Sequence, residues 1–272
     1  MEGDSGKRIV VTGASSGIGR EIAVQLAAPG NEIWLIGRDR QRLGEVAAEV
    51  ESRGGVAKVA VLDLSDLDAV DVFLEGFPAE FQVDEVYLAA AITAFGEFQH
   101  MRHEDWNLIY RTNLLSAVQL TQHFYCGMVE RGGGKIILVS SLASYAGYPT
   151  ATAYATMKAG LLGMFRSLQY EGEAHGVSIH HASPGYVGTG IYKAAIYRNT
   201  TYEATMDSIK KLGFSLLSAE KAAKTIIRGV ARGRRDFAFP YYASAMKWIA
   251  PRFPCVITLV HARMMGIFRI TS

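Results

Sequence analysis

The sequence predicts an α/β fold built on a doubly wound parallel sheet of about seven strands. One observation is that short runs of β-branched residues alternate with stretches of helical spacing along most of the chain. Because parallel strands need crossover connections, this alternation gives a sheet with helices on both faces. A second observation is that 272 residues, with a hydrophobic share of 49%, are enough for one sizeable core. We therefore expect a single domain over residues 1–240.

The expected strands and helices follow one another along the chain. The apolar runs predicted as strands are 8–12, 32–36, 56–62, 84–89, 135–140 and 177–182, with a weaker run at 236–239. The stretches predicted as helices are 20–28, 38–53, 104–131, 151–175 and 219–232. Three glycines at 132–134 predict a helix stop before a strand. Ligands of such sheets bind at the carboxyl ends of the strands, so functional residues are expected there.

Charge and cysteine content argue against several classes of protein. The chain has 28 Lys and Arg against 26 Asp and Glu, and the net charge of +2 is far from the basic excess of a nucleic-acid-binding protein. Its two cysteines, Cys126 and Cys255, are far apart and lack CxxC spacing, which indicates a reducing compartment. The apolar run 9–11 is too short for a signal peptide. We expect no nucleic-acid partner and a cytoplasmic location.

A glycine-rich turn separates the first predicted strand from the first predicted helix. It reads Thr-Gly-Ala-Ser-Ser-Gly-Ile-Gly over residues 12–19. Because glycine has no Cβ, backbone N–H groups and a helix N-terminus can approach a pyrophosphate here. Its position is that of a Rossmann-type dinucleotide-binding turn. The residues predicted to bind the cofactor in this turn are Gly13, Ser15, Ser16, Gly17, Ile18 and Gly19.

The end of the second predicted strand indicates which dinucleotide binds. A site for NAD(H) places an acid there to bond the ribose 2′-hydroxyl, but Gly37 stands at that position and Arg38 follows it. A guanidinium offers a planar fork of donors that suits a 2′-phosphate. Asp39 would either repel that phosphate or cap the helix that starts at Arg40, and we favour the cap. NADP(H) is therefore predicted over NAD(H).

A tyrosine and a lysine are the candidate catalytic pair. Tyr154 and Lys158 are four residues apart near the start of a predicted helix, so both project from one face and can share a ligand. Such a pair alone is common on solvated helices. Its weight comes from Ser140 and Ser141, which stand at the end of the preceding predicted strand.

Together these motifs resemble the short-chain dehydrogenase/reductase family, in its compact single-domain branch, from about residue 7 to residue 239. The resemblance implies that Ser141 holds the substrate oxygen, that Tyr154 exchanges its proton, and that Lys158 contacts the nicotinamide ribose. It also implies that Asn113 binds a water linked to Lys158, although this amide can equally satisfy a distorted helix. The further cofactor-binding residues that it implies are Asp63 at the adenine, Val187 and Thr189 at the carboxamide, and Leu64, Ala90, Pro184 and Gly185.

The acidity required of Tyr154 can be compared with the charge available to it. A free phenol titrates near ~10 and must fall by about three units, roughly 4 kcal/mol, to work at neutral pH. A cation about 4 Å away, at an effective dielectric of about 20, supplies roughly that amount. We therefore expect Lys158, helped by oxidised nicotinamide, to lower the pKa of Tyr154 without a metal. The histidine pairs at 100/103 and 180/181 lack the spacing of metal ligands, and no metal site is predicted.

One stretch departs from the family pattern. After the fourth strand the family shows Asn-Asn-Ala-Gly, but this chain has Leu88, Ala89, Ala90 and Ala91. Both asparagines are missing, so we expect altered bonding between the central strands and a less close approach of the backbone at Ala91.

Two C-terminal segments fit the predicted sheet poorly. Residues 188–214 are rich in Tyr and Thr and are predicted to form a lid. Residues 241–272 form an amphipathic tail, too interrupted to span a bilayer, which either lies in a membrane interface or packs on its own domain or a second subunit. The aromatic residues expected to line a substrate pocket are Tyr148, Tyr186 and Tyr192, with Phe95, Tyr145 and Tyr197.

The predicted function is that of an NADP(H)-dependent carbonyl reductase or alcohol dehydrogenase for a small apolar substrate. The alternatives are a protein that senses NADP(H) for an interaction partner, and an epimerase. The family tends to pair through the long helices predicted at 104–131 and 151–175, so a homodimer or homotetramer is expected. A peripheral membrane contact through the tail is the remaining expectation.

Overall fold

A seven-stranded parallel sheet forms the centre of the protein, whose computed structural model describes residues 6–213 and 215–268. The strands are β1 (Arg8–Thr12), β2 (Glu32–Gly37), β3 (Val56–Val61), β4 (Glu85–Leu88), β5 (Gly134–Val139), β6 (Val177–Pro184) and β7 (Asp236–Phe239). Their order in the sheet is β7-β6-β5-β4-β1-β2-β3. The chain thus starts in the middle, winds to one edge through β3, and returns to build the other half. The predicted fold class and strand number are confirmed.

Helices cover both faces of the sheet. The helices up to the middle of the chain are α1 (Gly17–Leu26), α2 (Arg40–Ser52), α3 (Leu67–Glu75), α4 (His103–Tyr110) and α5 (Ser116–Arg131). The later ones are α6 (Ala143–Ala146), α7 (Thr152–Ala174), α8 (Tyr202–Lys211), α9 (Ala219–Ala231), α10 (Tyr241–Ile249) and α11 (Pro254–Phe268). One core lies beneath α1, α2 and α9, and a second lies beneath α3, α5 and α7. The apolar sheet residues are buried between these layers, as the hydrophobic effect requires.

The long helix predicted at 104–131 is interrupted. Between α4 and α5 the backbone forms a π-helical turn over Arg111–Leu115. The buried side chain of Asn113 leaves this turn and makes hydrogen bonds with Ile92 beside the sheet. Turns of this kind are often found at functional sites. The glycine stop is as predicted, because α5 ends at Gly132 in a left-handed conformation with φ 71°.

The segment after β6 is more regular than expected. Ile196–Tyr197 pairs in parallel with Ala94–Phe95, and helix α8 follows. Thr201 caps α8 by accepting a hydrogen bond from the N–H of Ala204. Phe214, the last residue of the predicted lid, lies outside the described residues.

The tail folds back onto the domain as helices α10 and α11. Met264 of α11 packs against Ile209 of α8, and Val260 lies against the same cluster. Among the described residues no helix is long and apolar enough to cross a membrane. Residues 269–272 of the tail lie outside the described residues.

Candidate active site

The glycine-rich turn is held close to the backbone that follows β4. Gly13 has a φ of 66°, and a Cβ on it would lie 2.9 Å from the Cα of Ala90. Gly17 has a φ of 56°, and a Cβ there would meet the side chain of Thr189 at 3.2 Å. Both positions therefore favour glycine, for conformation and for space. This confines the turn to one path beneath the first turn of α1.

The N-terminus of α1 is open for an anion. Ser16 is the cap residue in an extended conformation, and within the described part of the chain its side chain makes no capping hydrogen bond. The first turn of α1 contains no acidic side chain. Free N–H groups and the positive end of the helix dipole therefore face the space above the turn. These features fit the pyrophosphate of a dinucleotide.

The backbone after β4 is hydrogen-bonded by the side chains of Thr12 and Asn113. The hydroxyl of Thr12 accepts hydrogen bonds from the N–H groups of Ala89, at 3.0 Å, and Ala90, at 3.1 Å. The amide of Asn113 accepts from the N–H of Ile92 at 2.9 Å and donates to its carbonyl at 2.8 Å. The backbone also approaches closely at Ala90, where Gly13 supplies the missing space. The side chains of Thr12 and Asn113 therefore hold the backbone after β4 in place.

Arg38 extends from the end of β2 beside Asp63. Its Nη1 lies 3.7 Å from Oδ2 of Asp63, and the arginine side chain is 58% exposed. Partial burial raises the pKa of Asp63, but hydrogen bonds from Ser65 and the charge of Arg38 outweigh burial and lower it. Asp39 accepts a hydrogen bond from the N–H of Arg42 and caps α2, as predicted. Arg42 lines the same cavity as Arg38 and was missed by the sequence analysis.

Tyr154, Lys158 and Ser141 meet at the carboxyl end of β5. Tyr154 and Lys158 lie one turn apart at the start of α7, and Lys158 is only 2% exposed. The Nζ of Lys158 donates to the carbonyl of Val139 at 3.0 Å and lies 5.6 Å from the ring centroid of Tyr154. Ser141 follows β5 and forms a hydrogen bond with Tyr154. Three of the four side chains predicted to be catalytic, all but Asn113, therefore share one corner of the site.

The pKa of Tyr154 differs from the expectation. Burial raises it to about 12, and the hydrogen bond from Ser141 offsets only part of this. Burial also lowers the pKa of Lys158 to about 8. In the protein by itself Lys158 does not lower the pKa of the phenol, because the ammonium lies over the ring and bonds Val139 rather than the hydroxyl. Lowering by Lys158 together with oxidised nicotinamide stays a prediction. Desolvation outweighs the attraction in this geometry.

Asn113 is the exception among the predicted site residues. Its buried amide is occupied by Ile92, so its side chain holds the π-helical turn against the segment after β4. This agrees with the second of the two predicted roles. The neighbouring Thr112 lines the cavity. The bound water linked to Lys158 stays a prediction.

A cavity of about 720 Å³ connects the glycine turn with Tyr154 and continues toward the tail. Its lining contains the other predicted residues, which are Gly13, Ser15, Ser16, Gly17, Ile18, Gly19, Arg38, Asp63, Leu64, Ala90, Ser141, Tyr148, Tyr154, Lys158, Pro184, Gly185, Tyr186, Val187, Thr189 and Tyr192. These groups come from the segments that follow β1, β2, β3, β4, β5 and β6 at their carboxyl ends, including the start of α7. This is the edge at which parallel sheets bind ligands.

The end of the cavity beyond Tyr154 is aromatic. Tyr186 donates to the hydroxyl of Tyr148 at 3.0 Å, and Phe95 stacks on Tyr192 with ring centroids 6.3 Å apart. The prediction that Tyr145 and Tyr197 line the pocket was wrong. Tyr145 turns away to bond His181 and Asp236, and Tyr197 packs on Phe95 and donates to the carbonyl of Tyr192.

The tail contributes a wall that the sequence analysis did not assign to the site. The tail residues in the cavity lining are Tyr242, Met246, Val260, His261 and Met264. Three of them follow the spacing i, i+1, i+4 along α11, so a one-sided helical pattern was the available signal. Burial lowers the pKa of His261, so its ring is neutral near pH 7. The tail is therefore both part of the fold and part of the cavity.

Comparison with known proteins decides the family. The model of the short chain dehydrogenase family matches residues 7–199. The chain belongs to the short-chain dehydrogenase family. The resemblance found in the motifs is thus confirmed, and with it membership of a family of oxidoreductases.

Two relatives in this family have been named. Over 185 residues the chain is 38% identical to a probable oxidoreductase, EphD, of Mycobacterium tuberculosis, covering 67% of this chain and 31% of that protein. Over 190 residues it is 35% identical to the 3-oxoacyl-(acyl-carrier-protein) reductase FabG of Escherichia coli, covering 70% of this chain and 77% of that one. The chain therefore spans about a third of the mycobacterial relative and most of the reductase.

A solved structure described as an NAD(P)-dependent gluconate 5-dehydrogenase with bound NADP resembles the protein. It comes from Beutenbergia cavernae, is 27% identical, has a TM-score of 0.74, and is matched over 86% of this chain and 95% of that one. Nicotinamide cofactors are therefore used in this family, and the open helix N-terminus and glycine turn of this chain fit such a cofactor.

Proposed function

We propose that this short-chain dehydrogenase interconverts a carbonyl and an alcohol on a small apolar molecule, with NADP(H) as the cofactor. The observation that carries the proposal is the juxtaposition of Ser141, Tyr154 and Lys158 midway along one cavity. On one side lies the glycine turn that fits a dinucleotide, and on the other lies an aromatic chamber. A substrate in that chamber would meet both the cofactor and the phenol.

The protonation states favour Tyr154 as an acid. With a pKa of about 12, its phenol holds its proton at neutral pH and is ready to donate to a carbonyl oxygen that Ser141 also binds. Lys158, with a pKa of about 8, is mostly charged at pH 7 and stabilises the phenolate that remains. Bound NADPH would supply the hydride to the carbonyl carbon. The chain itself therefore positions the oxygen and delivers the proton.

The preference for NADP(H) rests on the end of β2. Gly37 leaves no acid for a ribose 2′-hydroxyl, whereas the guanidinium of Arg38 is 58% exposed and only loosely paired with Asp63 at 3.7 Å, so a 2′-phosphate can compete for it. Arg42 adds a second cation at the same rim. Asp39 is held by the start of α2 and pairs with Arg42 at 3.2 Å, which reduces its repulsion of an anion.

The apolar character of the substrate rests on the chamber walls. Tyr148, Tyr186 and Tyr192 form one side, and Val260 and Met264 of the tail form another. Segment 188–213 supplies Tyr192, and we propose that it acts as the lid. Residues 1–240 and the tail then cooperate in one site. Cytoplasmic location and pairing through α5 and α7 stay predictions.

Replacing Tyr154 with Phe tests the function. We expect kcat for NADPH-dependent reduction of apolar ketones and aldehydes to fall about 10²–10⁴-fold, because the variant loses the proton donor. NADPH affinity, measured by fluorescence titration, is expected to change little. The matched control is Tyr170→Phe, since Tyr170 lies on the same helix and is 71% exposed.

Two results would contradict the proposal. Full turnover by Tyr154→Phe would remove Tyr154 as the acid. A wild-type protein that binds NADPH tightly but reduces or oxidises no compound in a broad carbonyl and alcohol screen would instead favour a nucleotide-sensing protein.

A further inference from the structure

Helix α11 exposes an apolar face to its surroundings. Its inner side chains line the cavity and pack on α8, whereas Val256 and Leu259, three residues apart, are exposed together, with Leu259 72% exposed. Met265 is also exposed, on the side of the helix opposite Val256. On an ordinary surface helix the outer face is polar. Helix α9 follows that rule, because its exposed positions include Glu220, Lys221, Lys224 and Arg228. Contact with another apolar surface would therefore be favourable, because it removes the exposed apolar side chains of α11 from water.

The apolar surface continues onto the end of α10 and the turn after it. Trp248 and Phe253 are both exposed, and their ring centroids are 5.8 Å apart. The guanidinium of Arg252 lies 5.0 Å from the ring centroid of Trp248. Tryptophan beside arginine suits the boundary between headgroups and acyl chains, where each side chain has one apolar and one polar part. We call these residues, together with Arg263 and the exposed side chains of α11, the outer tail face.

The charge of the chain is divided unevenly. Residues 241–272 contain four of the 28 Lys and Arg residues and none of the 26 Asp and Glu residues. Their net charge is therefore +4, and that of residues 1–240 is −2. Of these four cations, Lys247 pairs with Asp236 at 2.9 Å and Arg269 lies outside the described residues. Arg252 and Arg263 lie in the outer tail face, and their positive charge complements anionic lipid headgroups.

We propose that the outer tail face docks on the surface of an anionic lipid bilayer. A second copy of the chain is a poorer occupant, because a symmetric contact through this face would bring Arg252 and Arg263 of both copies together with no acid of the tail to pair with them. Docking seats Leu259 and Val256 among the acyl chains and leaves the arginines at the headgroups. Since the inner face of the same helices forms the cavity wall, the substrate chamber then lies directly above the bilayer.

Vesicle co-sedimentation with the full chain tests this proposal without using its activity. The probes are vesicles of phosphatidylcholine alone and of phosphatidylcholine with phosphatidylglycerol. We expect wild type to bind the mixed vesicles and to bind the neutral ones at least tenfold more weakly, because anionic lipid adds attraction for each basic residue. Leu259→Glu is expected to lower binding to the mixed vesicles at least tenfold.

The matched control is Val72→Glu, which places the same charge on an exposed valine of α3, 69% exposed and outside the outer tail face. It is expected to bind as wild type does, and unchanged NADPH affinity in both variants shows that each is folded. Wild type that stays in solution with both kinds of vesicle, or equal binding by Leu259→Glu and wild type, overturns the proposal. So does a wild-type oligomer in light scattering that Leu259→Glu dissociates, since the face is then an interface between copies. Loss of turnover with intact vesicle binding would count against the proposed function alone.

Discussion

The cofactor side and the substrate side of the cavity are built in different ways. On the cofactor side the backbone itself makes the surface, at Gly13, Gly17 and the start of α1, and the fit depends on absent Cβ atoms. On the substrate side the surface is made of side chains such as Tyr192 and Met264, from segments that pack on one another outside the sheet. The backbone surface on the cofactor side holds one ligand in one orientation. The side-chain surface on the substrate side can change its shape when its residues are substituted.

Lys158 lies where the cofactor side and the substrate side of the cavity meet. Its substitution is therefore expected to have the largest effect on turnover. At 5.6 Å from the Tyr154 ring centroid, and at an effective dielectric of about 20, its charge stabilises a phenolate by about 3 kcal/mol. We expect Lys158→Met to lower kcat about a hundredfold, measured in single turnovers at saturating NADPH.

The pH dependence of the same reaction supplies the control. Burial places the pKa of Lys158 at about 8, so its charge is present below that pH and is lost above it. Wild-type kcat should therefore decline as pH rises through about 8, and the decline should be absent in Lys158→Met. A variant that retains both the rate and the decline would show that another group stabilises the phenolate.

The two sides were also unequally predictable from the sequence. Gly13 and Gly17 were found because a positive φ and a close approach are local requirements that one short motif records. The sheet was found for a similar reason, since alternation of strands and helices is a local pattern. Asp39 as a helix cap likewise needed only its neighbours.

What the sequence did not predict depends on contacts between distant segments. Thr12 bonds the backbone of Ala89 and Ala90 only because β1 and β4 are neighbours in the sheet. Tyr145 turns away from the cavity because Asp236, far along the chain, bonds its hydroxyl. The part of the tail in the cavity follows from packing on α8, and the raised pKa of Tyr154 follows from its burial.

On the cofactor side, the side chain of Arg38 is expected to determine which dinucleotide binds. A hydrogen bond to a charged group is worth about 1.5–3 kcal/mol. We expect Arg38→Ala to lower the ratio of kcat/KM with NADPH to that with NADH about tenfold to a hundredfold. Arg40→Ala is the matched control, because Arg40 is exposed two residues away, at the start of α2. An unchanged ratio in Arg38→Ala would show that another residue contacts the 2′-phosphate, and Arg42 would be the next residue to test.

Asp236 joins the tail to the sheet behind the substrate side. It lies on β7, forms an ion pair with Lys247 of α10 at 2.9 Å, and bonds Tyr145 of α6. His181 completes the cluster with Nδ1 3.1 Å from the carboxylate. Partial burial raises the pKa of Asp236, but hydrogen bonds from His181, Lys247 and Tyr145 outweigh burial and hold it at about 2.

Loss of the Asp236 carboxylate is expected to have the smallest effect, because this group is partly exposed and solvent screens its charge. Its folded pKa lies below its ordinary value of 3.8, so its charge stabilises the fold above that pH, and this is lost as pH falls toward 2. We expect Asp236→Asn to lower the free energy of unfolding by about 1–2 kcal/mol at pH 7 in urea titrations. The difference from wild type should shrink between pH 4 and pH 3, whereas Asp207→Asn, at an exposed pair on α8, should match wild type throughout. If the free energies of unfolding of Asp236→Asn and wild type differ by the same amount at both ends of the pH range, the effect is one of packing. A rise in KM for substrate without a change in NADPH affinity would locate the effect on the substrate side.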